Sequence, residues 1–119
     1  PAVDLLIYEQ FGKPQGFVNI TRTRCAEVAD WGFYLAPSAP KNSGREMGKQ
    51  ALTYAFVQLC LHKVCGQALE FNNRSISFHK RLGFTEEGCL REHHFDGSQF
   101  HDVVCFGLLS NEWETRVKD

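Results

Sequence analysis

The feature that most constrains the fold of this chain is a long amphipathic pattern that follows a loop with two prolines. Across residues 45–62, apolar residues recur at steps of three and four, which is typical of a helix with one buried face. The preceding loop, residues 37–44, contains Pro37 and Pro40, and prolines do not fit inside a central strand. A helix of this length has to bury its apolar face against another layer of secondary structure.

Strand-like segments on both sides of the helix supply that layer. A turn containing Gly12 and Pro14 separates the first two of them, and Asp96-Gly97 separates the last two, so each pair is predicted to form a hairpin. A short helix is predicted from Asn73 to Gly83, which suits a helix C-terminus. The predicted strands cover residues 3–8, 16–24, 27–36, 64–71, 84–94 and 99–109. This order predicts an α/β fold, a mixed sheet with helices on its faces.

Length and charge limit the classes of protein that fit. The 119 residues suit a single domain, residues 1–119, and the hydrophobic content of 43% is ample for one core. Thirteen Lys and Arg against fourteen Asp and Glu give a net charge of -1, which argues against a nucleic-acid partner. The apolar stretches are far shorter than the roughly 20 residues that span a bilayer. We therefore expect a cytoplasmic protein with no membrane partner.

The cysteines and histidines do not predict a metal site. The cysteines are odd in number, five, and lack a CxxC pair, so we expect reduced thiols and neither a disulfide framework nor a zinc ribbon. One group deserves comparison with metal ligands: His93, His94 and His101 together with Cys89 and Cys105. It lies in a strand-like region without a recognised ligand spacing, and hairpin residues are the preferred interpretation.

The loop before the long helix has the chemistry of an anion site. A strand that leads through Gly44 into a helix places backbone N–H groups at the positive end of the helix dipole, where a pyrophosphate can bind. Lys41 and Arg45 add positive charge. An ordinary helix start has the same local pattern, so this signal alone is weak.

Two segments make the chain resemble the GNAT acetyltransferase superfamily. That family has a loop of the form Q/R-x-x-G-x-G/A and a later segment N-x-x-(A/S)-x-x-x-Y-x-K-x-G-F, and the second matches here at Asn72, Ser75, Gly83 and Phe84. The resemblance implies a mixed, mostly antiparallel sheet and acetyl-CoA as co-substrate, with no metal. The coenzyme-binding residues that it implies are Phe33, Leu35, Lys41, Asn42, Ser43, Gly44, Arg45, Asn72, Ser75 and Lys80.

The chain departs from the family pattern at two places. Asn42 stands at the first Gly of the loop, although Asn tolerates a positive φ, and Ala39 stands at the basic position. His79 replaces the Tyr that often protonates the departing thiolate, and its pKa near 6.5 suits a proton donor. The alternative for His79 is a structural role.

The resemblance implies that an amine attacks the thioester directly, without an acetyl-enzyme. Asp30 or Glu70 would accept the proton of the ammonium, directly or through water, and each has the alternative of being a solvated strand residue. A backbone N–H near Leu35 would polarise the thioester carbonyl.

The acceptor is predicted from a narrower similarity. The segments around Asp30, Gly88 and Trp113 are similar to acetyltransferases of pseudaminic acid biosynthesis, which act on the 4-amino group of a UDP-linked amino sugar. The alternatives are a ribosomal-protein N-terminus or polyamine acetyltransferase, and a non-catalytic acyl-CoA sensor. The first strand and first two helices of the family fold are expected to be missing, together with much of the acceptor pocket. A homodimer is a possible assembly.

Overall fold

The computed structural model describes residues 3–25 and 27–118, with side chains described through residue 115. The chain divides into two compact units, Pro1–Val64 and Cys65–Asp119. Each unit contains strands and at least one helix, and together they hold six strands of a mixed sheet. The α/β fold class predicted from the sequence is confirmed.

The first unit is built on three antiparallel strands in the order β1-β2-β3. These are β1 (Val3–Gln10), β2 (Lys13–Arg22) and β3 (Val28–Leu35). Phe11 and Gly12, with φ of 54° and 75°, form a two-residue turn that is tighter than the predicted turn. The pairing between β1 and β2 shifts register between Tyr8 and Glu9, beside Pro14, where proline removes one ladder N–H.

The long predicted helix is present but ends earlier than the periodicity indicates. Helix α1, Ser43–Thr53, continues into a π-helical turn, Tyr54–Gln58, where the Leu59 N–H reaches back to the Tyr54 carbonyl at 3.0 Å. Cys60 then takes a φ of 54°, which is incompatible with a helix, so the element stops before residue 62. The buried apolar side chains of α1 and of strands β2 and β3 include Met47, Ala51 and Leu52 with Val18, Ile20, Ala29 and Trp31.

The second unit combines strands β4-β6-β5, in that order, with two helices. Its elements are β4 (Lys63–Leu69), α2 (Asn73–Arg81), β5 (Thr85–Phe95), β6 (Phe100–Leu109) and α3 (Ser110–Lys118). The first residues of β4 belong to the first unit. Gly83, at φ 101°, ends α2 as predicted. Helix α3 is not predicted from the sequence, because only Trp113 among its described side chains is buried and no long periodic pattern exists.

The hairpin of β5 and β6 is strongly asymmetric. All eleven residues of β5 are exposed, whereas β6 contributes Val103, Phe106 and Leu108 to the core. The pairing shifts register between Leu90 and His94, and Glu92 within this bulge has a φ of 49°.

No helix among the described residues is long and apolar enough to cross a membrane.

Candidate coenzyme and acceptor sites

The loop before α1 has the backbone geometry of an anion site. Asn42 takes the left-handed conformation, with φ 71°, and no side chain caps the helix that follows. The N–H of Ser43 bonds the carbonyl of Pro40, and that of Glu46 bonds the carbonyl of Asn42. The N–H group of Gly44 lies between those of Ser43 and Glu46, in the first turn, where an α-helix offers no internal acceptor. A phosphate placed there would meet a backbone donor and the positive end of the helix dipole.

The loop also has two positively charged side chains and a buried hydroxyl group. Lys41 and Arg45 are exposed on either side of the helix start, so both cations are accessible to an anionic ligand. Ser43 is buried, at 2% exposure, and its Oγ donates to Gln10 Oε1 at 3.0 Å. Ser43 therefore acts through its side chain as an anchor of the loop. Gln10, at the end of β1, is a residue that sequence reasoning missed, because no local pattern connects positions that are 33 residues apart.

The end of β3 is fixed against β2 where the loop begins. Leu35 lies opposite Gly16, and the N–H of Ala36 donates to the carbonyl of Gln15 at 2.7 Å. A side chain at Gly16 would collide with the Tyr34 carbonyl, so this close approach requires glycine. Phe33 and Leu35, both predicted to contact the coenzyme, are half-buried on this strand.

Asp30 lies away from the end of β3 that leads into the loop. It precedes Leu35 by five residues, a separation of about 16 Å along an extended strand. Successive strand residues alternate between faces, so Asp30 lies on the exposed face with Tyr34, opposite the face of buried Trp31. This placement gives Asp30 no proximity to the predicted thioester position near Leu35.

Three predicted coenzyme residues of the second unit have structural partners. Asn72 caps α2, since its Oδ1 accepts from the Ser75 N–H at 3.1 Å. Lys80 Nζ lies 3.8 Å from Glu86 Oε1, and both side chains are more than half exposed. The contribution of such an exposed pair to stability is small. Asn72, Ser75 and Lys80 as coenzyme ligands stay a prediction.

His79 is buried in the core of the second unit. Its exposure is 0%, and its ring stacks on Phe106 with centroids 4.8 Å apart and planes at 5°. The Phe84 ring meets it edge-on at 5.0 Å. Nδ1 lies 2.8 Å from the Ser75 carbonyl, an acceptor, so this nitrogen carries the proton and donates. Desolvation by burial lowers the pKa of His79, against a smaller opposing effect of the bond to Ser75.

Glu70 belongs to a cluster with a histidine and a second carboxylate. Its Oε1 lies 3.7 Å from Nδ1 of His101, and its backbone N–H donates to the Asp102 carbonyl at 3.0 Å. On the other side of the same ring, His101 Nε2 lies 2.6 Å from Asp96 Oδ2. The edge of Phe71 also faces the imidazole, at 4.8 Å between centroids. Sequence reasoning identified Glu70 but assigned no role to Asp96 or His101.

The Asp96 carboxylate is held rigidly by the hairpin turn. Its Oδ1 accepts from the N–H groups of Ser98 at 2.7 Å and Gln99 at 2.8 Å. The bond from Gln99, followed by those from His101 and Ser98, lowers the pKa of Asp96 to about 2. Asp96 is therefore an anion throughout the physiological pH range.

The cysteines and histidines of the β5–β6 hairpin do not form a metal-binding cluster in the part of the chain that is described. Cys89 Sγ contacts Asp102 Oδ2 at 3.7 Å, and desolvation followed by this carboxylate raises the pKa of its thiol. Over residues 3–25 and 27–118, no three His, Cys, Asp or Glu side chains are grouped to hold a metal ion.

Comparison with known proteins places the chain in a family. The model of the Acetyltransferase (GNAT) domain matches residues 3–85, and the chain belongs to this family, whose members use acetyl-CoA. The SPbeta prophage-derived uncharacterized N-acetyltransferase YokL of Bacillus subtilis (strain 168) is 38% identical over 87 residues, 71% of this chain and 49% of that protein. The putative ribosomal N-acetyltransferase YdaF of the same strain is 38% identical over 66 residues, 56% of this chain and 36% of that protein.

A third relative is matched both in sequence and by solved structures. The spermidine N(1)-acetyltransferase of Vibrio cholerae serotype O1 (strain ATCC 39315 / El Tor Inaba N16961) is 29% identical over 89 residues, 74% of this chain and 51% of that protein. A crystal structure of spermidine/spermine N-acetyltransferase SpeG from Vibrio cholerae matches with a TM-score of 0.89 at 25% identity, over 97% of this chain and 69% of that one. The chain thus spans about half or less of the length of these curated relatives.

Proposed function

We propose that this chain carries the coenzyme-binding part of an acetyl-CoA-dependent N-acetyltransferase that acts on a primary amine. The observation that carries this proposal is the loop of residues 36–42 together with the first turn of α1, which combine a left-handed Asn42, an uncapped helix start and two exposed cations. A pyrophosphate linker matches this combination of donors and charge. Membership of the GNAT family supplies the thioester chemistry.

The acceptor that we propose is a cationic amine of the polyamine class. Glu70 and Asp96 provide negative charge in the second unit, where a protonated amine would be attracted. Exposed aromatic rings occur in the same unit, with Phe71 at 57%, Phe95 at 54% and Phe100 at 58% exposure. Aromatic faces bind alkylammonium groups. The spermidine acetyltransferase among the relatives is consistent with this choice.

Two other acceptors remain as competing candidates. The 38% identity to the putative ribosomal N-acetyltransferase favours a protein N-terminus. The UDP-linked amino sugar predicted from the sequence has less support, because the two relatives described above whose names give an acceptor are named for ribosomal and spermidine acetylation. A nucleotide diphosphate would also be repelled by the Glu70 and Asp96 carboxylates.

In the proposed reaction, the acceptor ammonium loses its proton to a base, directly or through water, and the neutral amine attacks the thioester carbonyl. The assignment of Glu70 as this base stays a prediction. Asp30 is set aside as the base because of its position on the exposed face of β3. We propose that water donates the proton that the departing thiolate takes up. Protonation by His79 would need a second proton on a ring whose Nδ1–H is bound to Ser75 and whose burial disfavours the cation.

A thiol-release assay tests this proposal. Acetyl-CoA is supplied with spermidine, with a peptide that begins with Ala or Ser, or with the UDP-linked amino sugar, and free coenzyme A is measured. We expect spermidine to give the highest kcat/KM. Faster release with the peptide or the sugar would overturn the polyamine assignment. Acetyl-CoA binding without release with any amine would identify a non-catalytic acyl-CoA sensor.

A further inference from the structure

One face of strands β2 and β3 is exposed and carries large aromatic side chains. Residues that pair across the two strands share a face, and three such pairs follow one another: Phe17 with Tyr34, Asn19 with Gly32, and Thr21 with Asp30. Phe17 and Tyr34 are 39% and 51% exposed, whereas Ile20 and Trp31 are buried on the opposite face. Exposed apolar patches mark binding surfaces, so this face is a candidate for one.

Phe17 and Tyr34 form an aromatic platform at the end of β3 that leads into the loop before α1. Their rings stack with centroids 5.7 Å apart and planes at 26°. Tyr34 directly precedes Leu35, whose backbone N–H is predicted to polarise the thioester carbonyl. Exposed Ile7 lies opposite Phe17 on β1 and extends the apolar surface. Aromatic faces attract alkylammonium groups, and apolar side chains contact methylene chains.

Oxygen acceptors follow the aromatic platform along β3. Gly32 has no side chain, and the Asn19 amide lies over it, since a Cβ at Gly32 would be 2.7 Å from Asn19 Oδ1. Two residues further, Asp30 places an exposed carboxylate on the same face. Two residues along a strand span about 7 Å, a step similar to that between nitrogens joined by an extended butylene spacer. Asp30 carries the one charge of the three described pairs, and this charge is negative.

We propose that the β2–β3 face, defined by Phe17, Asn19, Asp30 and Tyr34, binds the part of a polyamine acceptor that is not acetylated. This inference deepens the proposed function and rests on its polyamine acceptor. The methylene chain lies along β3 against the aromatic platform. Asn19 Oδ1 accepts from a distal ammonium group, and Asp30 pairs with the last ammonium group of a longer polyamine. The negative charge beside aromatic rings selects a cation as the occupant of this face.

Kinetics with putrescine, spermidine and spermine test this placement. Asp30→Asn should raise the KM for spermine about 2- to 5-fold, as expected for an exposed ion pair, and leave kcat and the KM for putrescine unchanged. Tyr34→Leu should raise the KM for all three amines by a similar factor. The control is Asp4→Asn on β1. Asp4 lies on the opposite face, because its neighbours Val3 and Leu5 are exposed, and its variant should leave every KM unchanged.

A fall in kcat in Asp30→Asn, or an equal change in KM for all three amines, would overturn the proposal. Self-association of the chain that Tyr34→Leu abolishes and spermine does not displace would identify a second copy as the occupant and overturn it as well.

An NMR titration with spermine, without acetyl-CoA, supplies a readout that does not depend on activity. We expect the side-chain amide signals of Asn19 to shift in the wild type and to shift at higher spermine concentration in Asp30→Asn. Unshifted Asn19 signals in a protein that acetylates amines would overturn this inference alone. Shifted signals in a protein that acetylates no amine would support the binding face and overturn the proposed function.

Discussion

At the scale of single residues, His79 shows how burial changes the chemistry that a side chain can perform. The sequence places it where related proteins have Tyr, and its ordinary pKa of 6.5 suits a proton donor. The enclosed ring stacks on Phe106, however, and desolvation lowers its pKa. A neutral imidazole that already donates Nδ1–H to Ser75 is better suited to holding α2 in place than to releasing a proton. Burial cannot be read from local sequence.

The lowered pKa of His79 predicts a loss of stability in mild acid. The unfolded chain titrates near pH 6.5, while the folded state binds this proton only at lower pH. The unfolded state therefore holds more protons between these values. The contribution of neutral His79 is fully present above pH 6.5 and is lost as the pH falls toward the folded pKa. We expect the free energy of unfolding, measured by urea denaturation, to decline from pH 7 to pH 5.

A pair of variants isolates this effect. His79→Phe keeps an aromatic ring beside Phe106 and removes the titration, so its stability should depend less on pH than that of the wild type. His93→Gln, at an exposed position of β5, serves as the control and should retain the wild-type slope. Equal slopes for the wild type and His79→Phe would show that His79 does not bind protons differently in the two states.

At the scale of elements, the hydrogen bond from Ser43 to Gln10 connects α1 to the end of β1. Gln10→Ala leaves the buried Ser43 hydroxyl without this acceptor and frees the end of the loop, where α1 begins. One hydrogen bond contributes about 0.5 to 1.5 kcal/mol, so we expect acetyl-CoA affinity to fall about 2- to 10-fold while the fold is retained. Titration calorimetry measures this change.

The control for that experiment is Gln50→Ala, at an exposed position on α1. It should leave acetyl-CoA affinity unchanged. If Gln10→Ala also binds acetyl-CoA as the wild type does, the contact with Ser43 does not position the loop.

The helices and strands differ in how well the sequence predicts them. The spacing of Met47, Ala51 and Leu52 specifies α1 because a buried face imposes a period on the sequence. The end of α1 depends on a π-helical turn and on the left-handed Cys60, which leave no periodic trace. Helix α3 buries only Trp113 among its described side chains, so its sequence carries little signal.

The candidate site is less predictable than the fold. Asn42 is identifiable because its left-handed backbone, at φ 71°, favours Asn among the residues other than glycine. The contacts of Ser43 with Gln10 and of Glu70 with His101 join positions that are distant in sequence. Only the folding of the chain brings such side chains together, so a pattern along the sequence cannot show them.

At the scale of the whole molecule, recognition of an anionic coenzyme has to come from local geometry. The net charge is -1, so no general electrostatic attraction favours acetyl-CoA. The positive charge that would attract the coenzyme is instead local, at one helix start with Lys41 and Arg45 beside it. A ligand that binds only the folded state stabilises it, by about 2.7 kcal/mol at a concentration 100 times Kd.

The most direct test of the central claim is therefore acetyl-CoA binding by the wild type and by a loop variant, measured by titration calorimetry and thermal unfolding. In Gly44→Val a β-branched side chain stands where the phosphate would approach, whereas Lys49→Val places the same residue at an exposed position of the same helix. We predict saturable binding and a raised Tm for the wild type and Lys49→Val, and loss of most of both for a folded Gly44→Val protein. Unchanged affinity in folded Gly44→Val, or no binding by the wild type, would contradict the account.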